Sequence, residues 1–125
     1  MQLYLIVFLG AGIGGALRHA VNEAAFRALG IYFPYGTAIV NILGSLIMGL
    51  LVAYFALRIE LPQHWRLFLA TGVLGGFTTF SAFSLDTAML YERGQPVLAA
   101  SYALGSVVIS IAALFAGMWL ARHLG

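Results

Sequence analysis

The length of its charge-free stretches most constrains what this chain can become. Tyr35 to Leu57 and Val97 to Ala121 contain no Asp, Glu, Lys or Arg. Each exceeds the roughly 20 apolar residues that carry a helix across a bilayer. Leu67 to Leu85 is also uncharged, although it holds Thr71, Thr78, Thr79, Ser81, Ser84 and three glycines. Leu3 to Leu17 ends at Arg18, so that stretch spans only if its helix continues through a buried or interfacial arginine into His19–Leu29. A water-soluble globule of 125 residues has too little interior for such runs. Charged residues make up 8% of the chain, against about 25% in soluble domains. The same figures exclude disorder. With no cysteine, disulfide frameworks, thiolate metal sites and cysteine nucleophiles are excluded as well.

The expected fold is an all-α membrane protein: a single transmembrane domain over residues 1–125 with four helices at about 3–29, 35–57, 66–90 and 97–121. Gly30–Pro34, Arg58–His64 and Glu92–Pro96 supply the connections, and Pro34, Pro62 and Pro96 each sit where a helix starts. Tyr32, Tyr35, Trp65, Tyr91 and Trp119 fall near the expected interfaces, as an aromatic belt does. The first stretch has no basic flank and no small-residue cleavage signature, so it reads as a retained span and not a signal peptide. A multi-pass protein of the cell membrane follows.

Orientation is unusual. Four spans place Arg58, Arg66 and Arg122 on one side and Arg18, Arg27 and Arg93 on the other. A chain normally orients by its Lys/Arg imbalance, which here vanishes. Either one buried arginine drops out of the comparison and leaves a weak fixed orientation, or both orientations insert and pair as an antiparallel homodimer. The balance favours the second. A four-helix protomer has little room for a pore of its own, so transport would use an interface. Gly10-xxx-Gly14, Gly72-xxx-Gly76 and Ser106-xxx-Ser110 have the spacing that lets helices approach closely.

The third span carries the most information. Gly75-Gly76 lies near its middle and Thr78-Thr79 follows, which predicts an interruption at membrane depth. Backbone carbonyls freed there need protein, water or an ion as partner, and broken helices in transporters commonly serve as ion sites. Two carbonyls per chain, doubled by a twofold axis, would surround a central cation with hard oxygen ligands suited to Na⁺. Alternatively, Gly75-Gly76 only lets two helices pack. Phe80 and Phe83 share a helix face, and the positive edges of their rings suit an anion; lipid or core contact is the plainer role for such rings.

Two polar stripes accompany the break. Thr37, Asn41 and Ser45 recur every four residues on span two, and Tyr102, Ser106 and Ser110 on span four. They offer hydroxyl and amide donors without formal charge, a lining able to replace water around a small anion. Interhelical hydrogen bonding is the alternative use for each. Glu23 and Arg27 have the spacing of an ion pair. Arg18 either draws anions into a vestibule or ties helix ends together, the structural role being favoured. His19, His64 and His123 form no ligand set. Scattered arginines argue against nucleic acid, and no catalytic constellation appears, so an enzyme is not expected.

Gly36-Thr-Ala-Ile-Val-Asn-Ile-Leu-Gly44, Gly75-Gly-Phe-Thr-Thr-Phe-Ser-Ala-Phe-Ser84 and the Gly10–Gly15 segment with Arg18 together resemble the Fluc/CrcB family of fluoride channels over essentially the whole chain. The resemblance implies an antiparallel, dual-topology homodimer that exports fluoride passively and so lowers its cytoplasmic toxicity, with pores along the subunit interfaces. It implies a structural Na⁺ on the twofold axis, held by the carbonyls of Gly75 and Thr78. It assigns Phe80 and Phe83 to fluoride contact, Asn41 to the pore, and Tyr102, Ser106 and Ser110 to a polar track. Ala82 stands where the pattern usually has Thr, and Leu114 where the track often continues with a hydroxyl.

The alternative is a small multidrug-resistance-type proton-coupled antiporter, also short and four-helical. Proton coupling needs a carboxylate at membrane depth, and Ile6 to Ala16 has none. A non-transporting scaffold would leave the polar stripes as helix-to-helix glue.

Overall fold

The structure is a computed structural model that describes residues 1–57 and 62–124. Arg58 and most of the connection after span two therefore lie outside the described residues. Helix α1 covers Gln2–Leu29 and α2 covers Tyr35–Leu57. The third span runs Gln63–Glu92 and is composite: α3 (Gln63–Arg66), a π-helical stretch (Leu67–Leu74), α4 (Gly75–Phe77) and, after a break, α5 (Phe80–Glu92). Helix α6 is Pro96–Leu124. All regular structure among the described residues is helical, and four helical units are long and apolar enough to cross a membrane.

Helix α1 passes through Arg18 without interruption. It ends at Gly30, whose φ of 86° requires glycine and whose amide donates to the Phe26 carbonyl at 3.0 Å. The α5–α6 turn uses the same device: Gly94 has φ 81°, its amide donates to Tyr91 and the Gln95 amide donates to Leu90. That pair of bonds is a Schellman closure.

The interruption falls one turn later than the glycines predict. Gly75 is helical, with φ −61° and ψ −38°, and α4 continues through Phe77. The chain opens at Thr78 (φ −88°, ψ 160°) and Thr79 (φ −153°, ψ 125°). β-Branched residues tolerate extended backbone better than helix, and Thr79 then serves as N-cap of α5, its hydroxyl accepting from the Ala82 amide at 3.1 Å. Of the two glycines, Gly76 has the packing role, whereas a Cβ on Gly75 would make only an ordinary contact with the Ala70 carbonyl. A Cβ on Gly76 would collide with the Ala11 backbone, and one on Gly14 with Val73 and Phe77. Gly10-xxx-Gly14 and Gly72-xxx-Gly76 thus face each other, α1 against the first half of the broken span.

Helices α2 and α6 form the largest contact and run parallel, as alternate spans must. Gly49 lies against the Leu114 backbone and Gly117 against Leu46 and Leu50, leaving no room for a Cβ on either. The break lets the two halves of span three choose different partners: the first half packs on α1 and the second on α6. A small aromatic core of Phe83, Leu90, Ala99 and Tyr102 holds α5 to α6. Most other large apolar side chains point outward, as a lipid-facing surface requires.

Candidate functional site

The break is clamped from α2. Asn41 Nδ2 donates to the Thr79 carbonyl at 3.0 Å, and the Thr79 amide donates to Asn41 Oδ1 at 2.8 Å. One amide side chain so satisfies both backbone groups of the residue where helix is lost, which explains a half-buried asparagine at membrane depth. From the other side, Arg18 Nε donates to the Gly76 carbonyl at 3.1 Å. A guanidinium is well placed there, because a helix C-terminus carries partial negative charge. Arg18 therefore ties the half-helix end to α1, the structural role of the two expected for it. The Leu74 carbonyl accepts from both the Thr78 amide and its hydroxyl.

These bonds decide which carbonyls lose their helical donors. In an unbroken helix the Thr79 amide would serve Gly75 and the Ala82 amide would serve Thr78. The first is given to Asn41 and the second to the Thr79 hydroxyl. The Gly75 and Thr78 carbonyls are thus deprived of those donors. Gly75 is exposed on the protomer and Thr78 half-buried.

A cleft of about 380 Å³ opens beside the break, between α2, the broken span and α6. Asn41, Gly75, Thr78, Phe80, Phe83, Ser106 and Ser110 all line it, together with Ser45, Met48 and Leu114. No ionisable side chain is among its lining residues. The Phe80 and Phe83 rings lie 5.5 Å apart, Phe83 buried and Phe80 75% exposed on the single protomer. The start of α5 faces the same space, so the positive end of that half-helix is directed at the cleft. The Ser110 hydroxyl is buried without a hydrogen-bond partner.

Tyr102 stands apart from the other expected residues. It is 2% exposed and packs behind Phe83, ring centroids 5.3 Å apart. Its hydroxyl donates to Asp86 Oδ2 at 3.3 Å. Asp86 and Thr37 belong to a second cleft near Arg93 and Asn22, one helical turn further along. The fold brings Asp86 under a tyrosine from another helix, 16 residues away in sequence. Sequence reasoning missed Thr79 as the capping residue, although a Thr directly before the Phe80 helix is a recognisable signal. Glu23 pairs with His19 at 3.4 Å, toward the preceding turn, in place of the expected Arg27.

Residues 5–118 match the family described as CrcB-like protein, Camphor Resistance (CrcB). The chain is similar to the fluoride-specific ion channel FluC 2 of Nitrobacter hamburgensis, with 60% identity over 121 residues covering 97% of this chain and 98% of the relative. It is equally similar to the fluoride-specific ion channel FluC of Granulibacter bethesdensis, 60% identical over 124 residues and covering 99% and 98%. The FluC of Rhodopseudomonas palustris is 59% identical over 119 residues, covering 95% and 96%.

Proposed function

The chain belongs to the CrcB family, and from that membership we infer that it is a fluoride-specific ion channel and not an enzyme. We propose further that it releases fluoride passively across the cell membrane. The working unit is an antiparallel, dual-topology homodimer with a pathway along each subunit interface.

The observation that carries this reading is the cleft itself. Hydroxyl and amide groups, two aromatic rings and the first residues of a half-helix line it with no charged side chain. Fluoride is small and strongly hydrated, so a selective path must replace its water with close donors yet let the ion leave. Asn41, Ser106 and Ser110 are the donors. The positive edges of Phe80 and Phe83 stabilise the anion without a countercharge that would trap it. The exposure of Phe80 on the protomer supports a path shared with the second subunit. Tyr102 supports the track from behind by fixing the Phe83 ring.

The carbonyls of Gly75 and Thr78, deprived of their helical donors, would hold a Na⁺ on the twofold axis. They are hard oxygen ligands, and a cation there would neutralise the negative end of the first half-helix in both subunits.

Purified protein in liposomes, followed with a fluoride electrode, tests the reading. Wild type releases loaded fluoride, and Phe80→Ile falls to the leak of empty vesicles. A silent wild type would reject fluoride conduction; an unimpaired Phe80→Ile would reject the aromatic contact alone.

A further inference from the structure

Helices α2 and α6 run in parallel register, and the cleft between them changes character along its length. Asn41 and Ser45 line it from α2, with Ser106 and Ser110 facing them from α6. One turn beyond Ser45 and Ser110, the lining residues are Met48 and Leu114. The polar stripes on both helices thus stop at one level. At that same level Gly49 meets the Leu114 backbone and Gly117 meets Leu46 and Leu50, so closely that neither tolerates a Cβ. The helices cannot come closer there, and their packed contact resists widening. The Ser110 hydroxyl, the last polar group before the change, is buried and has no protein partner. A buried hydroxyl left unpaired is unfavourable unless something else satisfies it.

From this juxtaposition we propose that Met48 and Leu114 form an apolar collar that sets the rate of fluoride passage at the Ser110 end of the cleft, a proposal that rests on the fluoride reading above. The Ser110 hydroxyl donates to the ion as its last protein contact. Beyond it, two apolar side chains offer no donor, and an apolar constriction holds water poorly. A strongly hydrated anion crosses that level partly stripped, so the barrier lies in the missing hydrogen bond and not in the width of the gap. Leu114 is then a rate-determining residue of this lining.

Liposome efflux of Leu114→Thr, Leu114→Ala and Met48→Thr separates the possibilities, each variant first checked for monodispersity by size exclusion. A threonine hydroxyl beside Ser110 is expected to raise fluoride efflux about fivefold, the factor one added donor supplies, with chloride still excluded. Met48→Thr, on the facing helix, shifts the rate in the same direction and stands in for Leu114→Thr if that variant is not monodisperse. Leu114→Ala adds space without a donor and accelerates efflux by less than half the factor that Leu114→Thr gives. Efflux by the threonine variants no faster than a conducting wild type overturns the collar while leaving fluoride conduction intact. Acceleration by Leu114→Ala equal to that by Leu114→Thr overturns it too, because width would then set the rate. If wild type and all three variants are silent, fluoride conduction itself fails and the collar with it.

Discussion

Asn41 uses both ends of its amide, and that double use distinguishes it from the other polar residues in the spans. Its Nδ2 serves the Thr79 carbonyl and its Oδ1 receives the Thr79 amide, while the side chain also lines the cleft. Asn41→Asp preserves shape but removes the donor and sets a carboxylate beside a carbonyl oxygen. Fluoride efflux should drop to vesicle background. The thermal midpoint in detergent should fall by several degrees, since losing one buried partner costs about 1–3 kcal/mol. Efflux and melting both equal to wild type would dissociate Asn41 from the break. The sequence marked Asn41 as one of a polar stripe on span two; it could not mark Thr79 as the partner, because the two lie 38 residues apart. Arg18 and Gly76, separated by 58 residues, are the same case.

The third span shows how one element divides its labour. Its glycines and threonines are adjacent in sequence, and the glycines look like the weaker link for a helix. Yet Gly75 and Gly76 stay helical and Thr78-Thr79 open. Packing against α1 decides this: Gly76 touches Ala11 and Gly14 touches Val73, leaving the helix no freedom to unwind there. The π-helical turn over Leu67–Leu74, closed by the Gly75 amide donating to the Ala70 carbonyl, had no counterpart in the periodicity either. Gly76→Ala should therefore destabilise the fold by about 1–3 kcal/mol through overpacking, seen as a lowered melting temperature and loss of the monodisperse peak. Gly12→Ala, whose Cβ would meet nothing within 4 Å, should leave both unchanged or slightly improved. Equal tolerance at the two positions would contradict the proposed division.

At the scale of the whole molecule, the outward surface is unusually apolar. Leu104, Val107, Val108, Ile111 and Phe115 are exposed along α6, and Tyr4, Phe8 and Ile13 along α1. Lipid suits such a surface, and so does a second copy of the chain. Phe80, at the open side of the cleft, belongs to the part that the proposed dimer covers. Balanced arginines predict that both orientations insert. Single cysteines placed at Gln95 and, separately, at Gln63, probed with a membrane-impermeant thiol reagent on intact cells, should each label about half the protein. Complete labelling at one site and none at the other would establish a single orientation and remove the antiparallel dimer.

Composition and charge-free length alone determined that the chain is a four-span helical membrane protein, because burying backbone in lipid leaves helices as the one solution available to runs of that kind. Short-range spacing also determined the two polar stripes and the shared face of Phe80 and Phe83, since side chains four or three residues apart must meet on a helix. Tertiary structure decided the rest: where the third helix opens, which carbonyls lose their donors, that Tyr102 leaves the cleft for Asp86, and that both stripes end at Met48 and Leu114. Each of these depends on partners from different helices, and the contacts between helices are set by packing at glycines whose neighbours no local pattern announces.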